Sequence, residues 1–138
     1  MVTDAGVRTR RPFRIAVAGH GSLPEALVGT AGSIVGTTSG VVALRLDADE
    51  SPETFASRVT DELAKEPDPV LVLTDLVGGS PHNVVTTRAA GGRARCVGGA
   101  NLAILLEAMT SSEPLDDRLV ERLVRLGRDA VAAVPARD

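Results

Sequence analysis

The sequence predicts an α/β fold in which a doubly wound, mainly parallel sheet is covered by helices on both faces. Three observations carry that expectation. Past Pro12, short apolar runs alternate with segments of helical period, and the connections between them are short. The 138 residues, 43% hydrophobic and 24% charged, suit a single domain with one sizeable core.

The first run, Ile15-Ala-Val-Ala-Gly19, is continuous enough for a strand buried on both faces. The period then changes: Leu23, Ala26, Leu27, Ala31, Ile34 and Val35 recur at helical spacing. Ser22 and Glu25 stand in the capping-box relation, Pro24 falls in the first turn, and Gly36 ends the helix. Residues 41–46 read as the second strand. Ser51 and Pro52 follow as an N-cap and a first helical position, opening a helix with Phe55, Val59 and Leu63 on one face. Its polar end around Lys65 reads as solvated, and Pro67 and Pro69 break it.

Residues 70–74 form the third strand, Gly78-Gly79 a turn, and Ser80-Pro81 the start of a third helix by the same cap chemistry. Residues 94–97 make the fourth strand, followed by a helix from Asn101 to about Met109. A last helix begins near Leu115 and buries Leu119, Leu123 and Leu126. Gly127 reads as its breaker, after which residues 130–134 fit either a helix continuation or a short edge strand.

Composition excludes several function classes. Fifteen basic against eighteen acidic residues leave a net charge of −3, too acidic for a chain whose main partner is nucleic acid. Phe13 and Phe55 are the only aromatics, which argues against base-stacking platforms. Lys65 is the only lysine and lies in a polar helix end, so Schiff-base chemistry is not expected. The single Cys96 excludes an internal disulfide, and with only His20 and His82 beside it no zinc pattern arises. No apolar run approaches membrane-spanning length, and the first residues lack a signal-peptide core. The expectation is a cytoplasmic protein with a disordered leader at 1–13 and a domain at 14–138.

In open parallel sheets, functional groups gather beyond the C-terminal strand ends, where strand order reverses. Those ends carry Gly19-His20-Gly21-Ser22, Asp75-Leu-Val-Gly-Gly-Ser80 and Gly98-Gly-Ala-Asn101. An order 2-1-3-4 makes strands one and three neighbours there and brings His20 to Asp75. Alone, His20 reads equally as an inert loop residue. A carboxylate accepting from its Nδ1–H would instead fix the tautomer and leave Nε2 as a nucleophile. Gly78, Gly79 and Ser80 at a helix start suit an anion, although a plain turn and cap explain them in isolation.

Three segments resemble the mannose-family enzyme IIA of the bacterial phosphoenolpyruvate-dependent sugar phosphotransferase system. They are Ile15-Ala-Val-Ala-Gly-His-Gly21, Leu73-Thr-Asp-Leu-Val-Gly-Gly-Ser-Pro-His-Asn83 and Gly98-Gly-Ala-Asn-Leu-Ala-Ile-Leu-Leu-Glu107. The resemblance implies that His20 accepts a phosphoryl group from the phosphocarrier HPr and passes it to a separate IIB protein, with membrane IIC and IID further downstream. It places Asp75 on the orienting carboxylate and Ser80 beside the active site, and it requires no metal or organic cofactor. It also implies a homodimer in which residues 130–134 form an antiparallel edge strand exchanged between subunits. His82 departs from the family motif, which typically has phenylalanine there.

A response-regulator receiver with Asp75 as phosphoacceptor fails for want of an acidic pair after strand one and of any lysine after Lys65. A nucleotide phosphate loop fails for want of Gly-Lys-Ser/Thr. A regulatory phosphoprotein and a dihydroxyacetone-kinase-type phosphocarrier remain as alternatives.

Overall fold

The computed structural model describes residues 11–65 and 69–137. Four parallel strands, β1 (Arg14–His20), β2 (Val41–Leu46), β3 (Val70–Thr74) and β4 (Arg95–Gly98), lie in the order β2-β1-β3-β4. Five helices connect and follow them: α1 (Leu23–Val35), α2 (Pro52–Leu63), α3 (Ser80–Ala89), α4 (Leu102–Met109) and α5 (Asp117–Asp129). Strand side chains alternate between two apolar layers, as a pleated sheet dictates. Ile15, Val17, Leu71 and Leu73 face α1, α4 and α5, while Ala16, Ala18, Val70 and Val72 face α2 and α3. The two phenylalanines divide likewise, Phe13 in the first layer and Phe55 in the second, both essentially unexposed.

The predicted strands and helices all form, with local corrections. Ser22 precedes α1 but makes no side-chain cap: its ψ of 2° is not the extended conformation that aims a hydroxyl at the first turn. Glu25, the other half of the expected capping box, reaches instead to Arg45 of β2 at 3.1 Å. Ser51 does cap α2, accepting from the Thr54 N–H at 3.1 Å. The polar end of α2 is not wholly solvated, because Glu62 is 7% exposed and pairs with Arg14 at 2.6 Å and Lys65 at 3.0 Å. Glu62 lies three residues after buried Val59, so the helical period turns it back toward the sheet, at the start of β1.

Of the expected leader, residues 1–10 lie outside the described residues, as does the predicted break at Pro67. Arg11 and Phe13 are built into the fold: the Arg11 guanidinium donates to the Phe13, Met109, Ser39 and Gly40 carbonyls. The last helix starts at Asp117, capped by Asp116, whose Oδ1 accepts from Leu119 at 2.9 Å. Residues 131–137 are neither a continuation of α5 nor a strand of their own sheet.

Gly127 does not break α5. It is a buried helix residue at the crossing with α4, where its missing side chain admits Ile104 and its carbonyl accepts from Asn101 Nδ2 at 3.2 Å. A Cβ at position 127 would come 2.7 Å from Ile104 Cγ1, closer still to Cδ1. Gly127→Val is therefore expected to destabilise the domain by about 1–3 kcal/mol through overpacking. Urea denaturation checks this, with Ile104→Val, which removes the clashing Cδ1, recovering part of the loss.

Candidate active site

The site lies at the C-terminal ends of β1 and β3, the point at which the strand order reverses. His20 is the last residue of β1, in register with Leu46 of β2. Gly21 then turns the chain into α1 with φ 56°, and the His20 side chain is left 50% exposed. Asp75 follows β3 and is only 11% exposed. One of its oxygens, Oδ2, accepts from the His20 backbone N–H at 2.9 Å and pairs with His20 Nδ1, also at 2.9 Å. The carboxylate comes so close to β1 that a Cβ on Gly19 would stand 2.9 Å from Asp75 Cγ.

An ionised carboxylate can only accept, so Nδ1 carries the proton of a neutral His20 ring and the Nε2 lone pair is left free. Burial alone would raise the Asp75 carboxyl. The backbone N–H, ring hydrogen bond and charge of His20 together outweigh it and hold the group below the ordinary carboxylate range. The base is thus ionised at neutral pH, the state that keeps His20 in the nucleophilic tautomer.

The loop after Asp75 supplies the third element. Leu76 and Val77 are 58% and 66% exposed, and the Gly79 N–H closes the turn on the Leu76 carbonyl at 3.0 Å. Gly79 runs beside the His20 ring, with its Cβ position 3.0 Å from Cε1. The N-cap of α3 is Gly79, not Ser80, so no side chain caps that helix, and in its first turn the N–H groups of Ser80 and His82 stay available, Pro81 having none. An uncapped N-terminus with its positive dipole end is a place for phosphoryl oxygens.

His20, Asp75, Gly78 and Gly79 are therefore brought together as the sequence indicates. Ser80 is exposed at the first position of α3 and makes no hydrogen bond to His20 or Asp75. Two features escaped the sequence reading. Asn83 Nδ2 donates to the Gly78 carbonyl at 3.2 Å, and His82 Nδ1 pairs with Thr74 Oγ1 at 2.7 Å. Both residues stand inside the loop motif, but only the turn of α3 shows which way they face.

A half-exposed histidine paired with a carboxylate through Nδ1 thus stands beside an uncapped helix start. The family described as EIIA-man, the PTS system fructose IIA component, matches residues 14–123. The chain belongs to the EIIA-man family. A mannose/sorbose-specific IIA subunit from Enterococcus faecalis superposes on this IIA chain with a TM-score of 0.85, at 27% identity over 94% of this chain and 98% of its own. A PTS IIA protein associated with the fucose utilization operon of Streptococcus pneumoniae gives 0.77 at 30% identity, over 90% and 96% of the two chains. A sigma-54 interaction domain protein from Enterococcus faecalis shares the fold at 19% identity and TM-score 0.72, covering 87% of this chain and 93% of its own. No curated protein sequence matches.

Among the described residues of this EIIA-man chain, no three His, Cys, Asp or Glu side chains converge on a common point that could hold a metal. No described helix is long and apolar enough to cross a membrane.

Proposed function

We propose that this chain is the IIA phosphocarrier of a sugar phosphotransferase system. His20 takes a phosphoryl group from the phosphohistidine of HPr and gives it to a separate IIB protein, which serves membrane IIC and IID components. The observation that carries the reading is the Nδ1 pairing of His20 with a buried, ionised Asp75, which frees Nε2 at a half-exposed position beside an uncapped helix start.

The chemistry follows from that geometry. The donor's N–P bond breaks as the bond to His20 Nε2 forms. No proton has to leave, because Nδ1 keeps its own and the ring becomes cationic against Asp75. The Gly78 N–H and the unbonded N–H groups at the start of α3 hold the transferring oxygens, with the Gly79 backbone lining the site and Ser80 at the rim. Donor and acceptor are both histidines, so positioning and fixed dipoles suffice. Leu23, Leu76 and Val77, all exposed apolar side chains on segments bordering His20, offer an apolar collar for the two partner proteins.

The test is labelling by phosphoenolpyruvate with enzyme I and HPr, which should place one acid-labile, alkali-stable phosphoryl group on each chain. Adding IIB should then empty it. A regulatory phosphoprotein or a dihydroxyacetone-type carrier would share the first step and fail the second.

The same reading includes a homodimer in which residues 130–134 pair with the partner's sheet. Val131 and Val134 are 77% and 83% exposed, and β4 has only β3 beside it, leaving an edge open to a further strand. Ending the chain after Ala130 is expected to give a monomer with an intact His20 site. Sedimentation of the full chain as a monomer at micromolar concentration would sink the dimer.

A further inference from the structure

We propose that His82 is a positioning residue of the phosphoryl site: its hydrogen bond with Thr74 clasps the two ends of the loop that carries Asp75 and the Gly78–Gly79 turn. This rests on the phosphocarrier reading of His20. Thr74 is the last residue of β3 and immediately precedes Asp75, while His82 lies in the first turn of α3, just past the turn. The 2.7 Å bond between them therefore ties the start of the loop to the helix that ends it.

Both ends of the clasp are themselves held. Thr74 is 0% exposed and its carbonyl accepts from the Ala100 N–H at 2.8 Å, so it belongs to the rigid centre of the sheet. The His82 ring is seated on β4, with a Cβ at Gly98 placed only 2.9 Å from Cε1. The remaining loop bonds, Gly79 to Leu76 and Asn83 to Gly78, shape the turn but do not reach β3. Without His82, no hydrogen bond among the described residues anchors the start of α3 to the strand end that bears Asp75.

The choice of partner has a chemical consequence. A hydroxyl donates to a neutral imidazole Nδ1 and accepts from a protonated one, so the clasp holds in either charge state. A phenylalanine in the same seat would fill the space and leave the buried Thr74 hydroxyl only the Cys96 thiol, a weaker partner.

The test compares phosphorylation of His20 by phospho-HPr in the wild type, His82→Phe, His82→Asn, Thr74→Val and the Thr74→Val/His82→Phe double variant. His82→Phe should lower kcat by about 10-fold or more with KM for HPr within about 2-fold, since a small displacement of a positioning loop weakens the reaction step itself. His82→Asn, whose amide can meet the same hydroxyl, should recover most of it. The double variant should be no slower than the slower single one, because both remove the same bond.

A His82→Phe rate within about 2-fold of wild type beside normal wild-type labelling overturns the clasp alone, as do losses that multiply in the double variant. Absence of labelling in the wild type overturns the phosphocarrier reading and the clasp with it. Should His82→Phe fail to fold, Thr74→Val against His82→Asn makes the same comparison.

Discussion

Replacing His20 by alanine is expected to reduce phosphoryl labelling through enzyme I and HPr to background while leaving the fold intact. The loss should be complete because the chain has only two histidines, and the other, His82, has its Nδ1 engaged by a hydroxyl rather than a carboxylate. A hydroxyl does not fix the nucleophilic tautomer or stabilise a cationic ring as Asp75 does. The fold should survive because the His20 side chain is half exposed and fills no core layer. Asp75 keeps a partner in the variant, the backbone N–H of residue 20 at 2.9 Å, so no buried carboxylate is stranded. Circular dichroism with labelling and acid lability checks both halves; a labelled His20→Ala chain would move the site elsewhere.

The pairing of His20 with Asp75 is legible in the sequence because both residues sit at strand ends and the strands themselves are hard to mistake. Residues 70–73, for example, are apolar at every position, as a strand covered on both faces requires, and they are buried together with Thr74. What the sequence hid depends on direction rather than pattern. Gly127 has the composition of a breaker, yet α5 continues because Ile104 of a different helix needs its space. Glu62 has the composition of a surface residue, yet it faces Arg14 at the N-terminal end of β1.

Ser22 and Ser80 have cap chemistry, but backbone conformation at the first and a one-residue offset at the second remove the cap. The offset at α3 suits the proposed phosphoryl site, since a capping hydroxyl would occupy N–H groups that site would use. His82 is the same kind of case. Its identity was visible as a departure from the family motif, but its bond to Thr74, eight residues back across the loop, follows no local period.

Asp75→Asn is expected to slow phosphoryl transfer in both directions, by up to about 10⁴-fold for a histidine–carboxylate pair, while the protein stays folded. Oδ2 of the carboxylate serves two donors, the His20 backbone N–H and Nδ1, and Oδ1 is buried with no hydrogen-bond partner among the described residues. An amide cannot reproduce this in either orientation. With its oxygen toward His20, the NH₂ group is buried where nothing accepts, at a cost of about 1–3 kcal/mol. With its NH₂ toward His20, it donates to Nδ1 and shifts the ring proton to Nε2, the atom that must attack. The neutral amide also gives the cationic phosphorylated ring less stabilisation.

The pH behaviour separates this from a merely structural loss. The folded Asp75 carboxyl lies below its ordinary range, so its ionised form contributes stability that is complete above the unfolded value of about 3.9 and is lost as pH falls through the folded one. The stability gap between wild type and Asp75→Asn should therefore shrink as pH falls below about 4. The deficit in transfer should persist across the neutral range, where Asp75 stays ionised. Stopped-flow transfer from phospho-HPr and urea melts at a series of pH values measure the two. Wild-type transfer rates in the variant would remove Asp75 from the mechanism.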